Sequence, residues 1–271
     1  MSQIKVIKLN GIVSAHDIDD TSLEHNPDFK PDHVQDGHSF VVLCGQTVQL
    51  NDTFVPTGDT LVNLREAFGS ANPETGELWG RIWDRQCKET KELTFEEHLR
   101  LQFEDVFRRI TVAQAIEFAQ KTLRPKLGFA QFLRDLQSLG VTPVFVTNGV
   151  DVIAGPVMKH FFGDIMPEPI IYANILVGDQ LKGLSGSVGV AKNEVVDELG
   201  DVRFFFGDSG SGDGPGATAV HNRGGHVFTL TSKAKGSLYA LAVAQYKAGQ
   251  WTHLDSYVDV PTAVVKAALN K

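Results

Sequence analysis

The sequence predicts an α/β fold, a parallel sheet flanked by helices with a helical unit inserted into it, and three observations predict it. Runs such as Val144-Phe-Val146 and Phe204-Phe-Phe206 are apolar without polar alternation, as strands covered on both faces require. From Pro125 onward such runs alternate with amphipathic stretches, the order that sandwiches a parallel sheet between helices. Between Thr57 and Pro125 the apolar spacing changes to the helical period of about 3.6 residues.

Composition supports a packed core. The 271 residues suffice for one large α/β domain or two smaller ones. Hydrophobic residues make up 42% and charged ones 21%, an ordinary globular mixture. A net charge of −8, from 25 basic and 33 acidic residues, leaves no electrostatic footprint for nucleic acid or an anionic membrane. No run of about 20 apolar residues is present to span a bilayer. The two cysteines, Cys44 and Cys87, read as free thiols of a reducing compartment. The stretch Met1–Gly11 has lysines inside its apolar positions and does not read as a secretion signal, so a cytoplasmic location is expected. Oligomeric state leaves no mark in the sequence.

Taken in order, Ile4 to Val13 alternates loosely and predicts a first strand. It runs into the acidic stretch His16-Asp-Ile-Asp-Asp-Thr21, and the prolines and aspartates of residues 24–38 predict a loop. Phe40-Val-Val-Leu-Cys44 is the more apolar strand and leads into Gly45-Gln-Thr-Val-Gln-Leu-Asn-Asp-Thr53. In the insert, Thr94 with Glu97 makes a capping box, after which Leu99, Phe103, Val106, Phe107 and Ile110 share one helical face. Thr111 with Gln114 starts another helix, through Ile116 to Leu123. Trp79 and Trp83 are expected in the core of the insert.

Beyond it, Phe129 to Leu139 predicts a helix closed by Gly140, and Val144-Phe-Val-Thr-Asn-Gly149 a buried strand ending in a polar turn. A helix near Val152 to Phe162, a β-rich stretch from Ile170 to Val190 and a helix from Lys192 to Leu199 follow. The strand Phe204–Phe206, the strand His226–Leu230 and a C-terminal helix complete the pattern.

The chemistry gathers at strand ends. After Phe206 the chain turns at Gly207 and presents Asp208 and Asp213 on one loop whose glycines at 207, 210 and 212 permit tight turns. In open α/β sheets functional groups sit just past the carboxyl ends of the strands. Two such carboxylates are hard oxygen ligands suited to Mg²⁺. Thr147 ends another strand and Lys192 begins the intervening helix, and a hydroxyl with an ammonium can bind phosphate oxygens. Together these residues indicate phosphoryl chemistry.

In these segments the sequence resembles the haloacid dehalogenase (HAD) superfamily, in its phosphoserine-phosphatase-like branch with a helical cap. Val146-Thr-Asn-Gly149 resembles the second motif, Lys192 the third and Gly207-Asp-Ser-Gly-Ser-Gly-Asp213 the fourth. Tyr172-Ala-Asn174 and Gly189-Val-Ala-Lys192 are similar to connecting segments of that branch. The resemblance implies a Rossmann-like core over residues 1–56 and 126–271 with a cap over 57–125. It also implies Mg²⁺-dependent hydrolysis of a small phosphorylated metabolite through a phosphoaspartate.

Two stretches compete for the first motif, Asp-x-Asp-x-Thr in the family. In Asp17-Ile-Asp-Asp-Thr21, the resemblance makes Asp17 the nucleophile and Asp19 the general acid and base. Thr147, Asn148 and Lys192 would then bind the phosphoryl group, and Asp17, Asp19, Asp208 and Asp213 the metal. The strand before it, Ile12-Val-Ser-Ala-His16, is polar for a central one. The other stretch, Phe40 to Phe54, has the more apolar strand, but Leu43 and Gly45 then stand where both aspartates belong. That register implies a fold without phosphatase activity, serving as a binding protein or catalysing another reaction. Cys44 reads as a buried small hydrophobe rather than a thiol nucleophile. His16, His25, His33 and His38 match no zinc spacing.

Overall fold

Alternation decides which face of the sheet each residue of the first strand serves. Val13 and Ala15 join the apolar cluster on one face, while Ser14 and His16 fall on the other, and all four are buried. The Ser14 hydroxyl and His16 Nε2 lie 2.9 Å apart and pair inside the protein, while His16 Nδ1 is buried without a partner. Burial lowers the His16 pKa to about 3, and the uncharged ring stacks on Phe206 at 4.4 Å. A strand that reads as polar therefore packs as an apolar one.

The structure is a computed structural model, and residues 6–175, 192–231, 237–246, 251–258 and 260–270 are described. Its elements begin β1 (Ile12–His16), β2 (Leu23–His25), β3 (His33–Gln35), β4 (His38–Leu43) and β5 (Gln46–Gln49). Helices α1 (Thr60–Phe68), α2 (Trp79–Lys88), α3 (Phe95–Val106) and α4 (Val112–Thr122) follow. Then come β6 (Leu123–Pro125), α5 (Phe129–Ser138), β7 (Val141–Val150), α6 (Asp151–Phe162) and β8 (Ile170–Asn174). The chain closes with α7 (Lys192–Leu199), β9 (Asp201–Gly207), α8 (Gly214–Asn222), β10 (His226–Leu230), α9 (Leu238–Gln245), β11 (Trp251–Leu254) and α10 (Val260–Leu269).

The chain divides into two compact units. One contains Gln3–Glu24, Pro125–Asn174 and the chain from α7 onward, and it carries a six-stranded sheet in the order β11-β10-β9-β1-β7-β8. Every pairing in that sheet is parallel, as the alternating pattern predicts. On one face Val13, Ala15, Val144, Val146, Phe205 and Val227 pack with residues of α7, α8 and α9. On the other, Phe206 stacks on Phe228 at 4.3 Å and meets Phe132 and Tyr257. Each fully buried ring of this kind contributes about 1.5–3 kcal/mol. With two apolar faces, the sheet cannot be laid bare on either side.

The other unit, His25–Arg124, holds α1–α4 and the antiparallel sheet β3-β4-β5. Both predicted capping boxes are present: Thr94 with Glu97 opens α3, and Thr111 with Gln114 opens α4. Trp79 and Trp83 stack at 5.7 Å on α2 and are half-buried. Asp84, between Arg65 at 2.8 Å and His98 at 3.2 Å, ties α1, α2 and α3 together.

Several expectations need correction. The first strand is Ile12–His16 and not Ile4 to Val13; residues 6–11 are outside any strand and residues 4 and 5 lie outside the described residues. The α3 helix ends at Val106, so Phe107 and Ile110 continue its apolar face from the following turn. The β-rich stretch is the strand Ile170–Asn174, and the remainder to Val190, with Gly189–Ala191, lies outside the described residues. The C-terminal region contains two helices with the edge strand β11 between them, whose Thr252 and His253 dilute its apolar character.

The Phe40–Cys44 run is likewise not a central strand. It forms the hairpin β4–β5 with Leu43 paired to Gln46, leaving Cys44 and Gly45 as a two-residue turn in which Cys44 is exposed rather than buried. Both have positive φ, 50° and 76°, the geometry such hairpin turns demand. Gly45 is therefore explained by its turn.

Candidate active site

β1 lies between β7 and β9, where the order of the sheet reverses, and such a switch point opens a crevice at the carboxyl ends of the strands. Asp17 follows directly on β1, and its N–H extends the ladder to the Phe206 carbonyl at 3.0 Å. The loop beyond is fixed by short bonds: the Ser22 hydroxyl donates to the Asp17 carbonyl at 2.6 Å, and the Ser22 and Leu23 N–H groups to the Ile18 carbonyl.

Three carboxylates converge there. Asp17, Asp208 and Asp213 each offer an oxygen within 4.8 Å of the others, and all are buried. Lys192 Nζ, fully buried, donates to Asp17 Oδ1 at 2.9 Å and to Asp213 Oδ1 at 2.6 Å. The Thr21 hydroxyl donates to Asp208 Oδ1 at 3.2 Å. Asp213 Oδ2 accepts the N–H groups of Asp208 and Ser209, both at 2.9 Å. Asp213 thus fastens the loop and orients the lysine. A Cβ on residue 207 would lie 2.6 Å from the Asp213 carboxylate carbon, which is why the turn there is glycine.

The electrostatics are those of crowded, buried acid. Burial and then the Asp213 charge raise the Asp17 pKa to about 7, against the pull of Lys192. Burial, Asp213, Asp17 and Asp20 raise Asp208 to about 9. Burial opposes the charge on Lys192, but Asp17 and Asp213 outweigh it and hold the ammonium above the ordinary lysine range. A divalent cation fits this donor set: hard oxygens only, with more carboxylates than the single ammonium neutralises.

The Val146–Gly149 stretch stands on the same unit. The expected polar turn after Val146 is instead part of β7, which runs on to Val150 with a register shift against β8 between Val146 and Val150; Thr147 is buried in that segment, and its hydroxyl accepts the Gly149 N–H at 3.0 Å. A Cβ on Gly149 would lie 3.4 Å from Thr147 Oγ1 and 4.0 Å from Asp19 Oδ2, so Asp19 sits on the Thr147 side, outside the three-carboxylate group. Asn148 is held by Asn174 Nδ2, which donates to its carbonyl at 2.6 Å. The Asn148 amide is itself packed against Gly212, 2.7 Å from where a Cβ would be.

Asp17, Thr147, Asn148, Lys192, Asp208 and Asp213 thus belong to one sheet edge, and Leu43 and Gly45 to a different unit. Sequence reasoning assigned no role to Ser22, Asn174 or Lys126. Lys126 bonds Asp20 across 106 residues and carries no local signal.

No family model matches the sequence, and no curated protein matches it. Solved structures do. A HAD family hydrolase from Salmonella enterica subsp. enterica serovar Typhi aligns with a TM-score of 0.54 at 11% identity, over 91% of this chain and 68% of its own. A protein of unknown function from Bordetella pertussis Tohama I aligns at 0.52 and 14%, over 90% and 98%. A substrate-bound phosphoserine phosphatase aligns at 0.48 and 15%, over 89% and 100%. At these identities the likeness is one of fold.

Proposed function

Taking the haloacid dehalogenase fold as the premise, we propose that this chain hydrolyses a small phosphomonoester through a phosphoaspartate formed on Asp17. The observation that carries the reading is the meeting of Asp17, Lys192, Asp208 and Asp213 past the central strand β1. Asp17 and Asp208 would hold Mg²⁺, which supplies neutralisation of the phosphoryl charge.

Lys192 keeps Asp17 oriented and favours its anionic form as its carboxylate attacks phosphorus and the ester P–O bond breaks. Asp19 gives its proton to the departing alkoxide. It then takes a proton from the water that attacks the aspartyl phosphate, so inorganic phosphate leaves and both aspartates return to their starting forms. The Thr147 hydroxyl and the Asn148 amide orient the phosphoryl oxygens.

A panel of small phosphomonoesters, assayed for phosphate release with Mg²⁺ and with EDTA, tests this. Release is expected with Mg²⁺ in the wild type, absent with EDTA, and absent in Asp208→Asn. Release that persists in EDTA or in Asp208→Asn would exclude the mechanism.

A further inference from the structure

Lys126 has no part in the chemistry above, yet it is a second buried ammonium in the same unit, with 7% of its surface exposed. Its Nζ donates to the Asp20 carbonyl at 2.7 Å, and its backbone N–H donates to the Ser22 carbonyl at 3.0 Å. Ser22 in turn holds the Asp17 and Ile18 carbonyls. One lysine thus clamps the loop that leaves β1 at two points. The clamp acts where the backbone leaves its ordinary regions, because Asp20 has φ of 51°, in the left-handed region that aspartate visits as a single residue.

Charge is the second feature. Burial lowers the Lys126 pKa, while Asp20, Asp208, Glu24 and Asp255 act to raise it. Burying an ammonium costs several kcal/mol where an apolar side chain would cost nothing comparable. Packing alone does not call for lysine here.

We propose that Lys126 is a positioning residue for phosphoryl transfer: its bonds to the Asp20 and Ser22 carbonyls fix the Asp19–Asp20 turn. This rests on the proposed reading of the site. Removing the ammonium impairs turnover by freeing the turn, while the three carboxylates and Lys192 keep their own bonds. A side chain that served only stability would lower the fraction of folded enzyme without changing the kcat of what remains folded.

The test is Mn²⁺ binding to the protein without substrate, followed by electron paramagnetic resonance, beside p-nitrophenyl phosphate turnover with Mg²⁺. Lys126→Met is expected to lose about tenfold or more in kcat while KM and Mn²⁺ affinity stay near wild type. Lys126→Gln and Lys126→Arg, which keep a donor, are expected to lose less kcat. Wild-type kcat in Lys126→Met overturns the proposal, as does a loss in Lys126→Arg as large as in Lys126→Met, or a loss of Mn²⁺ binding that parallels the loss of kcat. Failure of the wild type to release phosphate from any ester would instead sink the phosphatase reading, which the Mn²⁺ titration does not depend on.

Discussion

Asp17→Asn is expected to lower kcat by on the order of 10⁴-fold or more, the scale of loss when a nucleophile is removed, while leaving the protein folded. Asparagine keeps the shape of the side chain and can still meet Lys192, but its amide cannot form the acyl phosphate. Lys192 retains Asp213 at 2.6 Å, so no buried ammonium is stranded. The substitution should even stabilise the metal-free protein at neutral pH. The Asp17 carboxyl is held at about 7 in the native state against an ordinary 3.8, so between those values the folded chain keeps a proton that the unfolded chain has lost. This group's contribution to stability is therefore present at low pH and lost as pH rises through about 7. Asparagine has no such dependence. In EDTA, the Tm of Asp17→Asn relative to wild type should climb from about pH 5 to about pH 8. A relative Tm that falls over that range would mean that Asp17 is not buried among carboxylates.

Lys192→Met is expected to cost both activity and stability. The ammonium is fully buried between Asp17 and Asp213, and removing one partner from such a cluster leaves uncompensated charge, worth about 3–5 kcal/mol. Methionine fills a similar volume, so the loss is electrostatic rather than a cavity. It should shrink at lower pH, where Asp17 can take up the proton that replaces the missing charge. Urea unfolding at two pH values, beside phosphate release, separates these effects. An inactive Lys192→Met of wild-type stability would show that the lysine is not the partner of both carboxylates.

What the sequence makes legible is local. Phe204–Phe206 with Gly207, Asp208 and Asp213 announces a buried strand ending at a carboxylate loop because every part lies within one short segment. Thr147 and Lys192 are legible for the same reason. The two competing first strands are not separated by sequence, because apolar character is a poor measure of centrality here. Ser14 and His16 Nε2 pair across 2.9 Å, a pairing that only the pleat reveals. The more apolar Phe40–Leu43 owes its pattern to a hairpin whose positive-φ turn at Cys44 and Gly45 was hidden among ordinary residues. Lys126 is invisible in sequence because its partners, Asp20 and Ser22, lie on the far side of the inserted helices.

The central claim is that Asp17 accepts the phosphoryl group, and beryllofluoride tests it without knowledge of the substrate, because it adds to a nucleophilic carboxylate as a mimic of aspartyl phosphate. The measurement is ¹⁹F NMR of the protein with beryllofluoride, with and without Mg²⁺. Bound, slowly exchanging fluorine resonances are expected in the wild type only when Mg²⁺ is present, and none in Asp17→Asn. Retention of those resonances in Asp17→Asn, or their absence from a wild type that binds Mg²⁺, would contradict the account.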